Sequence, residues 1–279
     1  MPEWRAMSQA ERDASYDNNK AVANSAALIE QRNAASATFR QDHSGHLDLA
    51  YGPRERNKWD LYPAARADAP CLVFIHGGYW QRNQREDFAG FAAGVMAHGW
   101  SAAMPGYTLA PEATLSDIVA EIDGALTWLA ANGPAHGLAA GPIVVSGWSA
   151  GGHLASLALA HAAISAGCAI SGVYELGPIA ETYLDEKLQL GDEEIATLST
   201  LRLPPVDKPL LIAYGSRELW PLVGDSRALH EKRAAAHCPG ALLPVAGGDH
   251  FTIVADLGDP TSTLVRHILA LAPGSRDQA

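Results

Sequence analysis

The stretch IVVSGWSAGGHLASLALA, residues 143–160, decides the fold. It opens with an unbroken apolar run, Ile143–Ser146, that has the character of a strand buried on both faces. It then passes through Gly147-Trp148-Ser149-Ala150-Gly151 and continues as an Ala- and Leu-rich segment predicted to be helical over 150–163. A serine centred in G-x-S-x-G between a strand and a helix is held at the tip of a very sharp turn. The residues two before and two after it must lack bulk, and Gly147 and Gly151 meet that demand. The helix N-terminus beneath the serine offers free N–H groups and a dipole that favour negative charge. A glycine-rich turn with an incidental serine is the structural alternative. The strand before Ser149 and the helix after it favour a nucleophile.

On either side of this stretch, short apolar runs alternate with helical segments. Strands are predicted at 71–75, 101–104, 143–146, 168–172, 209–214 and 241–245, and helices at 24–40, 86–98, 150–163, 225–237 and 260–271. Another helix opens at Thr114, an N-cap with Asp117 three residues on, and stops at Gly133-Pro134. This alternation predicts right-handed crossovers and an α/β fold: a mostly parallel central sheet with helices on both faces. Residues 1–45 read as an N-terminal helical extension, 46–272 as the α/β domain and 273–279 as a C-terminal tail. Open α/β sheets place their sites beyond the carboxyl ends of the strands.

The candidate site residues fall at those ends. After Cys71–Ile75 comes His76-Gly77-Gly78-Tyr79-Trp80. Acyl transfer needs N–H donors aimed at a developing oxyanion. Gly77, Gly78 and Ala150, the residue after the nucleophile, are the candidates. His76 reads as a brace for its loop. A serine also needs a base and an orienting acid, in chain order Ser, Asp/Glu, His. His250, in the glycine-rich loop after the strand at 241–245, is the base expected. Glu218, after the strand at 209–214, is the acid expected. Asp225 is its rival, although it reads as part of a helix cap, and Asp249 is expected to point elsewhere. His153 reads as a packed core histidine. Tyr79, Trp80, Trp148 and Trp220 are candidate substrate-binding residues, with Tyr183 beside them. Arg82 or Arg85 is placed to meet a substrate carboxylate.

Composition narrows the function classes. The 279 residues carry 20 Lys+Arg against 31 Asp+Glu, a formal net charge of −11, which argues against nucleic acid as a partner. Three cysteines make no disulfide framework and fit a reducing, cytoplasmic setting. The N-terminal twenty residues lack the basic and apolar regions of a signal peptide. The apolar stretch at 154–170 reads as a helix running into a strand, so no membrane association is expected. His43 and His46 are close in sequence but have no carboxylate–histidine cluster at ligand spacing, so neither a metal nor a cofactor is expected.

Taken together, His76–Gln81 (HGGYWQ), Tyr107–Pro111 (YTLAP), Gly147–Gly152 (GWSAGG), Ser171–Leu176 (SGVYEL), the segment 215–226 and Asp249–Phe251 (DHF) resemble the arylformamidase (kynurenine formamidase) group of α/β-hydrolases. The resemblance spans about residues 13–271. It implies a cofactor-free serine hydrolase that removes a formyl group from aryl formamides, with Ser149, Glu218 and His250 as its triad. The chain departs from that pattern in having Glu218 where Asp is usual, Asp225 where Gln is usual, and Tyr174-Glu175-Leu176 in place of Tyr-Asp-Leu. The expected partner is a small aryl amide or ester, and a homo-oligomer is compatible with this reading. Three rivals stay open: a carboxylesterase with the same machinery, a non-catalytic binding protein of this fold, and a metal-dependent amidase.

Overall fold

The computed structural model describes residues 4–66, 68–138 and 141–272. Among them eight strands form one sheet: β1 (His46–Ala50), β2 (Lys58–Tyr62), β3 (Cys71–Ile75), β4 (Ser101–Pro105), β5 (Ile143–Trp148), β6 (Ile164–Ile170), β7 (Leu210–Gly215) and β8 (Gly240–Val245). Their spatial order is β1-β2-β4-β3-β5-β6-β7-β8. β2 runs antiparallel to β1 and β4, whereas β4, β3 and β5 to β8 are mutually parallel. The helices are α1 (Gln9–Ala14), α2 (Asn18–Ala21), α3 (Ser25–Asp42), α4 (Ala93–Met96), α5 (Leu115–Asn132), α6 (Ala150–Ala158), α7 (Asp185–Leu188), α8 (Asp192–Leu198), α9 (Trp220–Ala235), α10 (Thr252–Ala255) and α11 (Thr263–Leu269).

The inner parallel strands are largely apolar because each feeds two cores, whereas β8 at the sheet edge has no fully buried residue. In β3, Cys71, Val73 and Ile75 pack with Ile118, Ile122 and Leu126 of α5 and Leu154 of α6. The alternate residues Leu72 and Phe74 pack on the other face with Phe39 of α3, Phe88, and Leu264 and Ile268 of α11. Side-chain alternation along a strand makes both faces pay for themselves, at roughly 1.5–3 kcal/mol per fully buried large apolar side chain. α5 starts as its sequence predicts: Thr114 Oγ1 accepts the Asp117 N–H at 3.1 Å, and Asp117 accepts the Thr114 N–H at 3.3 Å.

Element boundaries differ from the sequence reading in several places. β1 and β2 were not predicted. The charged Asp60 at the centre of β2 hides its strand character, yet it is fully buried and paired with Arg40 at 2.9 Å and Arg85 at 3.2 Å. The helix expected at 86–98 is a 3-10 segment over Arg85–Ala92 followed by α4, and the helix expected at 150–163 ends at Ala158. α9 begins at Trp220, with proline in its first turn, so Asp225 lies inside the helix and not at its cap. α11 is capped by Ser262, whose side chain accepts the Val265 N–H.

The N-terminal helices lie on the body of the domain. Ser36 Oγ donates to Asp87 O at 2.9 Å and accepts the Gly90 N–H at 3.2 Å, which fastens α3 to the 3-10 segment. The expected tail at 273–279 lies outside the described residues.

Candidate active site

The turn after β5 brings Ser149 out of the sheet. Its backbone sits at φ 58°, ψ −121°, a left-handed conformation that a residue with a Cβ adopts only where its surroundings enforce it. The Ser149 N–H donates to Ile170 O at 2.8 Å, which anchors the turn to the end of β6. A Cβ on Gly147 would overlap Gly151 O, and one on Gly151 would overlap Ile75 O. The lack of bulk read from the sequence is therefore a packing requirement between the turn and β3.

Three strand ends converge here. Glu218 follows β7, and His250 follows β8. His250 Nε2 lies 3.1 Å from Ser149 Oγ, and His250 Nδ1 lies 2.9 Å from Glu218 Oε1. An ionised carboxylate only accepts, so the imidazole donates from Nδ1 and presents the Nε2 lone pair to the serine hydroxyl. The second oxygen of Glu218 accepts the Gly215 N–H at 3.1 Å, which fixes the carboxylate plane. The Glu218 side chain is fully buried and that of His250 is 4% exposed, so water does not compete for these bonds. Trp148 stacks obliquely over the imidazole, 4.7 Å between centroids, and its indole N–H donates to His250 O at 2.8 Å.

The rival groups are occupied elsewhere. The Asp225 Oδ2 accepts the N–H groups of Tyr174 at 2.7 Å and Glu175 at 3.0 Å, bracing the loop after β6. Burial raises its carboxyl to about 7. Asp249 turns back on its own chain and accepts the Phe251 and Thr252 N–H groups. The buried His153 bonds to Leu198 O at 2.8 Å, and burial lowers it to about 4. His76 bonds to Gly77 O and stacks on Tyr107 at 4.2 Å, as a loop brace would. Burial lowers His76 to about 3, so its ring stays neutral.

The His76–Trp80 loop presses against the serine. A Cβ on Gly77 would come within 2.9 Å of Ser149 Cβ. Gly78 has φ +122°, and the turn that follows accepts the Gln81 and Arg82 N–H groups at Gly78 O. Among the described residues no backbone acceptor takes the N–H of Gly77, Gly78 or Ala150.

Above Ser149 and His250 is a pocket of about 60 Å³. Trp148, Phe251, Tyr79 and Tyr183 line it, together with Gly78, Arg82 and Asn83. Two of the expected aromatic residues lie elsewhere. Trp80 is fully buried and packs edge-on against His153, and Trp220 lies near Trp4 with centroids 6.3 Å apart. Arg85 is also outside the pocket, because Asp48, Asp60 and Glu86 pair with it. Sequence reasoning missed the roof, where Asp17, Asn18, Asn19, Ile29 and Arg32 reach over the site from the N-terminal helices. The Tyr79 hydroxyl ties that roof down by donating to Tyr16 O at 2.7 Å and accepting from Asn18 Nδ2 at 2.9 Å. No local pattern in residues 1–45 signals these contacts.

Residues 59–169 match the family model BD-FAE. A crystal structure of a candidate thioesterase from Silicibacter sp. TM1040 superposes with a TM-score of 0.83 at 29% identity, over 92% of this chain and 98% of that one. The chain has the α/β-hydrolase fold. Kynurenine formamidase of Danio rerio is 23% identical over 97% of the chain and 99% of its own length. Kynurenine formamidase of Salmo salar is 29% identical over 81% of each. Esterases stand among the other relatives and structural neighbours. These relatives are hydrolases of formamidase or esterase type, and their resemblance to this chain supports an enzyme of that kind. No described helix is long and apolar enough to cross a membrane.

Proposed function

We propose that this α/β-hydrolase is a serine hydrolase that removes a small acyl group, formyl in the first instance, from an aryl amide of the N-formylkynurenine type. The observation that carries this reading is the unbroken hydrogen-bond chain Ser149–His250–Glu218 at the floor of a pocket of about 60 Å³. The formamidase relatives, which match over 97% and 81% of the chain, support the same substrate class.

In this mechanism Ser149 Oγ attacks the formyl carbon while His250 Nε2 takes its proton. Glu218 holds the imidazole in the required tautomer and stabilises its cation. The carbonyl oxygen becomes an oxyanion held by N–H groups of the Gly77–Gly78 loop and Ala150. Collapse of the intermediate breaks the C–N bond, and His250 returns the proton to the leaving aryl amine. Water then adds to the formyl-serine, giving its proton to His250, and formate leaves as Ser149 recovers its proton. A carboxylesterase would use the same groups on an ester, and the esterase relatives favour that second reading.

Hydrolysis of formanilide and of p-nitrophenyl acetate and butyrate by the purified chain, with Ser149→Ala alongside, separates the two readings. Formanilide turnover with kcat/KM above that for butyrate is expected, and Ser149→Ala is expected to lose on the order of 10⁶ in kcat. Ester turnover without formamide turnover would move the function to carboxylesterase. Substantial activity in Ser149→Ala would remove the serine mechanism altogether.

A further inference from the structure

The relay beneath the pocket leaves one feature of its roof without a role. Arg32, on α3, lines the pocket together with Ser149 and His250. Its guanidinium lies over the Phe88 ring, 4.1 Å from the centroid. Nε and Nη2 both donate to Asn33 Oδ1, at 3.0 and 2.8 Å, and among the described residues no side chain or backbone group accepts from Nη1. No described carboxylate comes within ion-pair distance of it, and Asp87 acts on it only at longer range. Burial lowers the guanidinium to about 10, so it still carries its charge at neutral pH.

The neighbouring Arg85 shows the contrast. It is buried more deeply than the partly buried Arg32 and is answered by Asp48, Asp60 and Glu86. Burying a cation without a counter-charge is costly, and a ligand that brings an anion recovers that cost. The planar guanidinium, already oriented by Phe88 and Asn33, suits a carboxylate better than a compact ammonium would.

We infer that Arg32 anchors a carboxylate on the leaving-group side of the substrate, so that the N-terminal helical extension selects anionic aryl substrates for the Ser149 site. A formyl group has no anionic part, which puts the carboxylate on the aryl amine. The inference rests on the proposed role of Ser149 and extends it to the substrate's charge. Arg82 is the other cation on the pocket wall, but it is exposed and pays little for remaining solvated.

Two measurements test it. In the first, kcat/KM is compared for 2-formamidobenzoate and its uncharged methyl ester in the wild type, Arg32→Gln, Arg32→Lys and Arg82→Gln. The wild type is expected to prefer the anion, and Arg32→Gln is expected to lower the anion-to-ester ratio about 10- to 100-fold through KM, the size of a charge-assisted hydrogen bond. Arg32→Lys is expected to recover part of that ratio. In the second, benzoate and benzamide compete with fluorophosphonate labelling of Ser149. Benzoate is expected to protect the wild type better than benzamide, and Arg32→Gln is expected to need about 10-fold more benzoate. Equal wild-type turnover of both formamides, or a ratio lost in Arg82→Gln and kept in Arg32→Gln, would overturn the anchor. Benzoate protection in a chain that cleaves neither formamide would sustain the anchor and refute the formamidase reading. Because both wild-type comparisons stand without any variant, a misfolded Arg32→Gln does not protect the inference.

Discussion

Replacing Glu218 with Gln tests the relay at its most constrained point. The two carboxylate oxygens have different partners: Oε1 faces His250 Nδ1 at 2.9 Å, and Oε2 accepts the Gly215 N–H at 3.1 Å. An amide has only one acceptor oxygen, and the site is fully buried. If that oxygen faces the imidazole, the NH₂ meets the Gly215 N–H, and a buried donor is left unpaired at about 1–3 kcal/mol. If the amide flips to satisfy Gly215, its NH₂ faces Nδ1. The imidazole must then accept there and carry its proton on Nε2, where it cannot take the serine proton. The second arrangement keeps every hydrogen bond and is expected to prevail. The expected loss in kcat is therefore on the order of 10⁴, as for a protease triad aspartate changed to asparagine, which is about 5 kcal/mol of transition-state stabilisation. The assay is kcat on formanilide together with the rate of fluorophosphonate labelling, with far-UV circular dichroism as the check on folding. A folded Glu218→Gln within 10-fold of the wild-type kcat would refute the tautomer argument and the role of Glu218.

The remaining predictions concern the frame of the site. Burial raises Asp225 to about 7 from 3.8, so between those values the folded chain binds more protons than the unfolded chain, and this group's contribution to stability falls as pH rises from about 4 through 7. Asp225→Asn is expected to flatten that part of the urea-denaturation pH profile while lowering kcat less than about 10-fold, since Asp225 holds the Tyr174–Glu175 backbone and not His250; an unchanged slope would sink this account. Gly151→Ala places a methyl group against Ile75 O and is expected to cost about 1–3 kcal/mol or more and to impair labelling of Ser149, read by denaturant titration and fluorophosphonate uptake. Tyr79→Phe removes the hydroxyl shared by Tyr16 O and Asn18 Nδ2 and is expected to cost about 1–3 kcal/mol in the same titration, with faster proteolysis within residues 1–45. Incubation with EDTA is expected to leave formanilide turnover unchanged, and loss of activity restored by added metal would contradict the serine mechanism.

What could be read from the sequence was whatever a short window of chain encodes. The apolar run Cys71–Ile75 is a strand because both of its faces are covered, and its composition records that directly. Gly147 and Gly151 mark the sharp turn because the clash that a Cβ would create there lies between residues four apart, or with the adjacent strand. His250 and Glu218 could be located because parallel strands deliver their following loops to one edge of the sheet. β2 escaped notice because Asp60 breaks its apolar pattern, and the arginines that neutralise it, Arg40 and Arg85, come from distant segments. The same limit applies to Arg32, which in sequence is one polar residue of an unremarkable helix. Only the docking of α3 on the Arg85–Ala92 segment places it over Phe88 and beside Ser149. Trp80 and Trp220 are close to site residues in sequence, but tertiary contacts with His153 and Trp4 hold them outside the pocket. Local strand, turn and capping energies act over a few residues and are written along the chain, whereas the roof, the charge balance and the aromatic walls arise from side chains that meet only once the sheet has closed its two cores.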